Sequence, residues 1–254
     1  MISSIRLATI AILAFLAACS SIPSGEAETS AANISLDKRE FNPTLAGQWI
    51  GNGISYGASR VGEGPNNGKH TSKENILEDL QMVSERWKLI RMYGSGQQSR
   101  NIIEVIRANN LPIRVIQGAW VSEHQTPAEN NEQVEGAIEL ANQFPEIVVA
   151  VNVGNEIFVD WSSHRVKDMD KVIGYIRDVR SRIRQPVTVA DDYNFWNKPQ
   201  AKKIADEVDF ICLHAYAFWN NKTLDIAMEW TESIYRDIQQ RHPDHLIAYC
   251  ETGW

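Results

Sequence analysis

The feature that most constrains this chain is the run Ile147-Val148-Val149-Ala150-Val151-Asn152-Val153-Gly154-Asn155-Glu156. An apolar, β-branched stretch of that length reads as a strand buried on both faces. Such strands belong to parallel sheets covered by helices on either side. In those folds the chemistry gathers at the carboxyl ends of the strands. The run ends abruptly in Gly154-Asn155-Glu156, so a carboxylate and an amide stand where reactive groups are expected. A second apolar run ends the same way, with Leu246-Ile247-Ala248-Tyr249-Cys250 leading into Glu251. Two glutamates at two strand ends suit acid/base work on a glycosidic bond. A single Glu is far more often a solvated charge; the pair at the ends of apolar strands is what points to chemistry.

The chain between and around these runs alternates short apolar strands with helical patterns. Expected strands are residues 53–57, 89–93, 113–120, 147–156, 186–191, 208–214 and 246–251. Expected helices include one capped by Ser72 without a full capping box, then 99–109, 131–142, 168–184, a short one opened by Pro199, and 223–240. Seven strands at roughly 25–40-residue spacing suit right-handed βα crossovers. The expected fold is therefore α/β, a (β/α)8 TIM-type barrel with seven strands present in this chain. An open doubly wound sheet is the alternative, but no strand leads into a G-x-G-x-x-G turn and no phosphate-binding G-x-x-x-x-G-K-[ST] loop appears. The sequence stops three residues after Glu251 with no eighth strand, and a C-terminally incomplete barrel is expected.

Residues 1–18 read as a signal peptide, with Arg6 before a short apolar run of small residues. Leu16-Ala17-Ala18-Cys19 resembles a bacterial lipobox, which makes Cys19 the expected lipid attachment site. Ser20 follows it where an Asp would signal inner-membrane retention. The expected location is the cell envelope, at the outer membrane of a Gram-negative bacterium, or else secretion. Residues 19–45 are expected to be a flexible tether, and 46–254 the folded domain. Cys212 and Cys250 each fall in an expected strand; buried free thiols are the expected reading, a disulfide the alternative.

A formal charge of −7 excludes nucleic acid as the natural partner. None of the six His forms an H-x-x-x-H or H-E-x-x-H pattern, so no metal and no cofactor is expected. His214 reads as a hydrogen-bonded strand-end residue. Arg91 reads as structural or as orienting a carboxylate. Asp191 and Asp192 read as turn caps before sugar contacts. Trp120, Trp161, Trp196 and Trp219 follow expected strands, where each could stack on a sugar or pack in a loop.

Val153-Gly154-Asn155-Glu156 and Glu251-Thr252-Gly253-Trp254 resemble the two signatures of glycoside hydrolase family 17, the β-1,3-glucanase family. Gly53-Ile54-Ser55-Tyr56-Gly57, Ile90-Arg91-Met92-Tyr93-Gly94 and His214-Ala215-Tyr216 resemble its other strand-end motifs, in order. The resemblance runs from about Gly51 to Trp254 and is nearest the bacterial branch. Ala217 departs from it, standing where many relatives carry Pro. The resemblance implies a retaining barrel enzyme with acid/base and nucleophile on the fourth and seventh strands, where the strand count puts Glu156 and Glu251. It assigns Glu156 as acid/base and Glu251 as nucleophile. Asn155 would bind a sugar 2-hydroxyl, with Tyr56 and Tyr216 lining the cleft and Tyr216 also touching the nucleophile. The implied partner is a β-glucan, met by a monomer held at the membrane through its lipid. Transglycosylation, and a catalytically impaired glucan-binding protein, are the alternative functions.

Overall fold

A computed structural model describes residues 37–64 and 67–253. The expected signal peptide and Cys19 lie outside the described residues. A two-stranded antiparallel hairpin, β1 (Thr44–Leu45) and β2 (Gln48–Trp49), precedes the barrel. The chain then alternates: β3 (Gly53–Ser55), α1 (Lys73–Arg86), β4 (Leu89–Arg91), α2 (Gln97–Ala108), β5 (Arg114–Ala119), α3 (Pro127–Gln143), β6 (Val148–Asn155) and α4 (Met169–Arg182). It continues through β7 (Val187–Asp192), two four-residue helices α5 (Tyr193–Trp196) and α6 (Lys202–Ala205), β8 (Phe210–Tyr216), α7 (Leu224–Arg241) and β9 (Leu246–Gly253). β3 to β9 form one seven-stranded sheet in sequence order, every neighbour parallel. The sheet curls into a nearly closed barrel, with β3 and β9 as its free edges among the described residues. Among those residues no helix is long and apolar enough to cross a membrane.

Helix starts follow their caps. Ser72 accepts from the Asn75 amide, the single-sided cap expected of it. α3 begins four residues before the expected start, because Thr126 and Glu129 form a reciprocal capping box and Pro127 occupies the first turn. Outward strand residues such as Val115, Val151, Val153, Val187, Val189, Ile211 and Leu213 pack on Ile102, Ile106, Val134, Ile138, Ile173 and Ile176 of the helices. Each such side chain contributes about 1.5–3 kcal/mol through burial.

A second, smaller cluster fills the barrel interior with Leu89, Ile116, Ala150, Ala190, Phe210 and Cys212. Its floor is supplied from upstream. Phe41 stacks on Phe210 with ring centroids 4.2 Å apart, and Leu45 and Ile50 join them. The Arg39 amide donates to Asp209 (2.7 Å), and its guanidinium donates to the carbonyls of Gln185 and Arg180. Residues 39–45 thus belong to the folded body and not to a flexible tether. The sequence places the boundary too late because this stretch has no periodicity; it is held by one aromatic and one arginine.

Cys212 and Cys250 are joined in a disulfide, with Cα atoms 5.3 Å apart. This corrects the expectation of free thiols. Both point into the barrel interior from adjacent strands, and β9 is bulged there: Leu213 pairs with Tyr249 but His214 with Glu251, leaving Cys250 as the extra residue.

Candidate active site

Strict alternation along β9 would follow inward Ala248 and Cys250 with an outward Glu251. The bulge reverses that parity and turns Glu251 into the barrel mouth. β6 is irregular at the same level. Asn152 pairs with Thr188, but the next pairing is Asn155 with Ala190. Gly154 takes φ +85° and Glu156 φ +49°, so two residues in three adopt left-handed backbone. The glycine does so freely; for Glu156 it costs about 1–2 kcal/mol. The result is that Asn155 and Glu156 both reach the site.

One oxygen of Glu251 accepts from the Arg91 guanidinium at 2.7 Å, and the other accepts from the Tyr216 hydroxyl at 3.1 Å. Burial opposes the charge on Glu251, yet His214, Arg91 and Tyr216 together hold its carboxyl below the usual range. The second arm of Arg91 donates to the side-chain oxygen of Asn155. With its oxygen taken, the Asn155 amide has its N–H groups left to offer. The guanidinium also lies over the Tyr93 ring, 4.9 Å from its centroid.

Glu156 reaches the fully buried His214, whose Nδ1 lies 3.2 Å from its Oε1, while His214 Nε2 lies 3.8 Å from Glu251 Oε1. Burial pushes the imidazole down, so the ring is neutral near pH 7 and carries one proton for two nitrogens. One oxygen of each glutamate and one nitrogen of His214 all lie within 4.8 Å of one another. That is compact enough to hold a cation. The Arg91 guanidinium already supplies the positive charge at Glu251, however, which suits a proton-handling pair better than a metal cradle.

Tyr216 donates to Glu251 as the resemblance implies. Tyr56 differs: its hydroxyl donates to Asp79 on α1 (3.0 Å), and Asp79 is in turn paired with Arg60. The tyrosine that reaches Glu251 from this side of the barrel is Tyr93, which interacts with both Ser55 and Glu251. The sequence shows both tyrosines one or two residues past a strand, and nothing local separates them.

Trp219 stands on the turn Phe218–Asn220 after β8, 74% exposed and edge-on to Phe218. Trp161 is likewise exposed. Trp120 lies tilted against His164, and Trp196 is fully buried against Phe195 and His242, so Trp196 is core. Asp192 caps α5 through the Asn194 amide, and burial pushes its carboxyl up to about 6. Asp191 is completely buried and accepts from two backbone amides.

Known proteins match this architecture. The barrel superposes on an endo-laminarinase from a Formosa strain with TM-score 0.69 at 20% identity, covering 81% of this chain and 67% of that one. It superposes on a β-1,3-glucanosyltransferase from Rhizomucor miehei, solved as an active-site mutant in complex with laminaritriose, with TM-score 0.65 at 20% identity, covering 80% and 71%. At that identity the likeness is one of fold, the barrel of glycoside hydrolase family 17 enzymes. No curated protein sequence matches the chain. A family model, the BtgE/BtgC glycoside hydrolase domain, matches residues 53–254. That span takes in β3 through β9 and both glutamates, and the chain belongs to the BtgE/BtgC glycoside hydrolase domain family.

Proposed function

We propose that the chain is a retaining glycosidase acting on β-1,3-glucan, with Glu251 as nucleophile and Glu156 as acid/base. The observation that carries this is the unequal treatment of two carboxylates whose oxygens lie within 4.8 Å. Glu251 is clamped by Arg91 and Tyr216 in its ionised form. Glu156 has neither contact, and meets the neutral His214 instead. Close spacing of the pair suits direct attack, since retaining pairs stand roughly 5–5.5 Å apart and inverting pairs wider.

In the first step a Glu251 oxygen attacks the anomeric carbon as the bond to the leaving oxygen breaks. Glu156 delivers its proton to that oxygen, and a glycosyl ester on Glu251 results. His214 accepts the Glu156 proton contact through Nδ1 and directs Nε2–H towards Glu251 beforehand. In the second step Glu156, now ionised, takes a proton from water; the hydroxide bonds to the anomeric carbon and Glu251 leaves. The free N–H groups of Asn155 face the sugar 2-hydroxyl, a contact that strengthens in the oxocarbenium-like transition state. Trp219 and Trp161 offer flat apolar faces to the chain of glucose rings.

Glucan transfer is the second reading, supported by the shared fold with a glucanosyltransferase. It differs only in that a sugar hydroxyl replaces water in the second step. Cys19, as a lipid attachment site, would hold such an enzyme at the envelope as a monomer; acyl labelling of the wild type against Cys19→Ser tests that part.

The chain is incubated with linear β-1,3-glucan beside Glu156→Gln and Glu251→Gln. Short products from the wild type alone support hydrolysis; products longer than the substrate support transfer. Undiminished turnover by either folded variant would sink the assignment.

A further inference from the structure

The left-handed backbone at Glu156 requires something to hold it. Its own amide donates to the Ala190 carbonyl (2.9 Å), and the Asn155 carbonyl meets His164 Nε2 at 2.6 Å. Beyond Glu156 the chain turns away from β7, and the next anchor is Asp191. One of its oxygens accepts from the Phe158 amide and the other from the Asp192 amide, both at 2.8 Å. Asp191 is fully buried, the residue after the one that receives the Glu156 amide. The two carboxylate oxygens therefore bridge β7 to the segment that follows the acid/base.

We infer that Asp191 is the positioning residue of Glu156, holding the acid/base in its left-handed turn by clasping the Phe158 amide from β7. The inference rests on the glycosidase reading for its kinetic consequence. The clasp itself is independent of that reading. Burial pushes the Asp191 carboxyl up, while the two amide donors favour its ionised form, which only accepts. Both of its contacts are N–H donors, and an amide side chain in its place sets a donor against one of them. A misplacement of about 1 Å in a catalytic group costs about 100-fold in rate. Asp191 does not touch the reacting atoms in this arrangement, so its loss should be felt only where Glu156 is needed.

That asymmetry gives the test. Departure of a sugar hydroxyl needs protonation by Glu156; departure of 2,4-dinitrophenolate does not. In kcat/KM, which reports only the first step, Asp191→Asn should lose about 10–100-fold on linear β-1,3-glucan. By the same measure it should lose less than about threefold on a 2,4-dinitrophenyl β-laminaribioside, because that leaving group needs no proton. Equal losses on both substrates from a folded variant, or no loss on either, overturn the inference. If Asp191→Asn does not fold, Asp191→Ser, which leaves room for a water to accept from both amides, goes through the same two assays. In the wild type the Phe158 amide should resist hydrogen exchange; exchange at the rate of an open amide overturns the clasp without any activity measurement. A wild type that cleaves neither substrate refutes the glycosidase reading, and the amide measurement then still decides the clasp.

Discussion

The guanidinium of Arg91 stands 2.7 Å from the carboxylate of Glu251, with 4% and 11% of the two side chains exposed. They come from β4 and β9, so this contact crosses the barrel mouth and links the second strand of the sheet to the last. A buried pair that loses one partner leaves an uncompensated charge. In Arg91→Met, Glu251 keeps its burial but loses its main fixed counter-charge, and its pKa rises. The acidic limb of the pH–rate profile should move to higher pH, with kcat at pH 5 falling further than at pH 7. Stability follows the same sign. A depressed native pKa contributes stability above the ordinary glutamate range and loses it as pH falls through the native value. An unmoved acidic limb would separate Arg91 from the ionisation of Glu251.

Asp192 carries the opposite sign. Its native pKa, about 6, lies above the usual aspartate value because the carboxyl is buried, despite two contacts with Asn194. Its contribution to stability is complete below about pH 4 and is lost as pH rises through 6. Asn caps helices as well as Asp does. Asp192→Asn should raise the melting temperature at pH 8 and leave it nearly unchanged at pH 4. Calorimetry at the two pH values checks this; equal shifts at both would contradict it.

The disulfide between Cys212 and Cys250 closes a segment of 38 residues. Chain-entropy reasoning for a loop of that size gives about 3–4 kcal/mol. For a domain of this length that corresponds to roughly 6–16 °C in melting temperature. Cys212→Ala with Cys250→Ala should melt that much lower in the absence of reductant. The wild type unfolded and refolded with reductant should match the double variant.

Trp219 has no buried role to lose. Removing an exposed ring that stacks on one sugar costs about 0.5–1.5 kcal/mol. Trp219→Ala should raise KM for long β-1,3-glucan by about 2–12-fold at unchanged melting temperature. The shortest cleaved oligosaccharide should be far less affected, and equal effects across chain lengths would remove Trp219 from the cleft.

Much of this was legible because a buried parallel strand announces itself by a largely apolar run, and seven short strands spaced by helical periodicity leave few topologies. The two glutamates stood out because each ended such a run. What failed to show depended on register. Alternation from Ala248 and Cys250 would aim Glu251 at the helices; only the bulge beside His214 turns it inward, and no local residue type signals it. The same bulge brings Cys250 to Cys212, which is why the disulfide could not be read from spacing. Tyr56 and Tyr93 occupy similar places after neighbouring strands, and the choice between them is made by Asp79 across on α1. The early start of the folded body rests on Arg39 and Phe41, two long-range contacts in a stretch whose composition resembles a linker.

Those two residues also fix a direction. Phe210 opens β8 and Tyr216 closes it, so Phe41 lies under the end of the barrel remote from Glu251. Asp37, whose carbonyl accepts from Arg180, lies at that same end. A domain beginning at Asp37 and fixed to a solid support by that end would present its cleft outward, open to an insoluble polymer laid over the support.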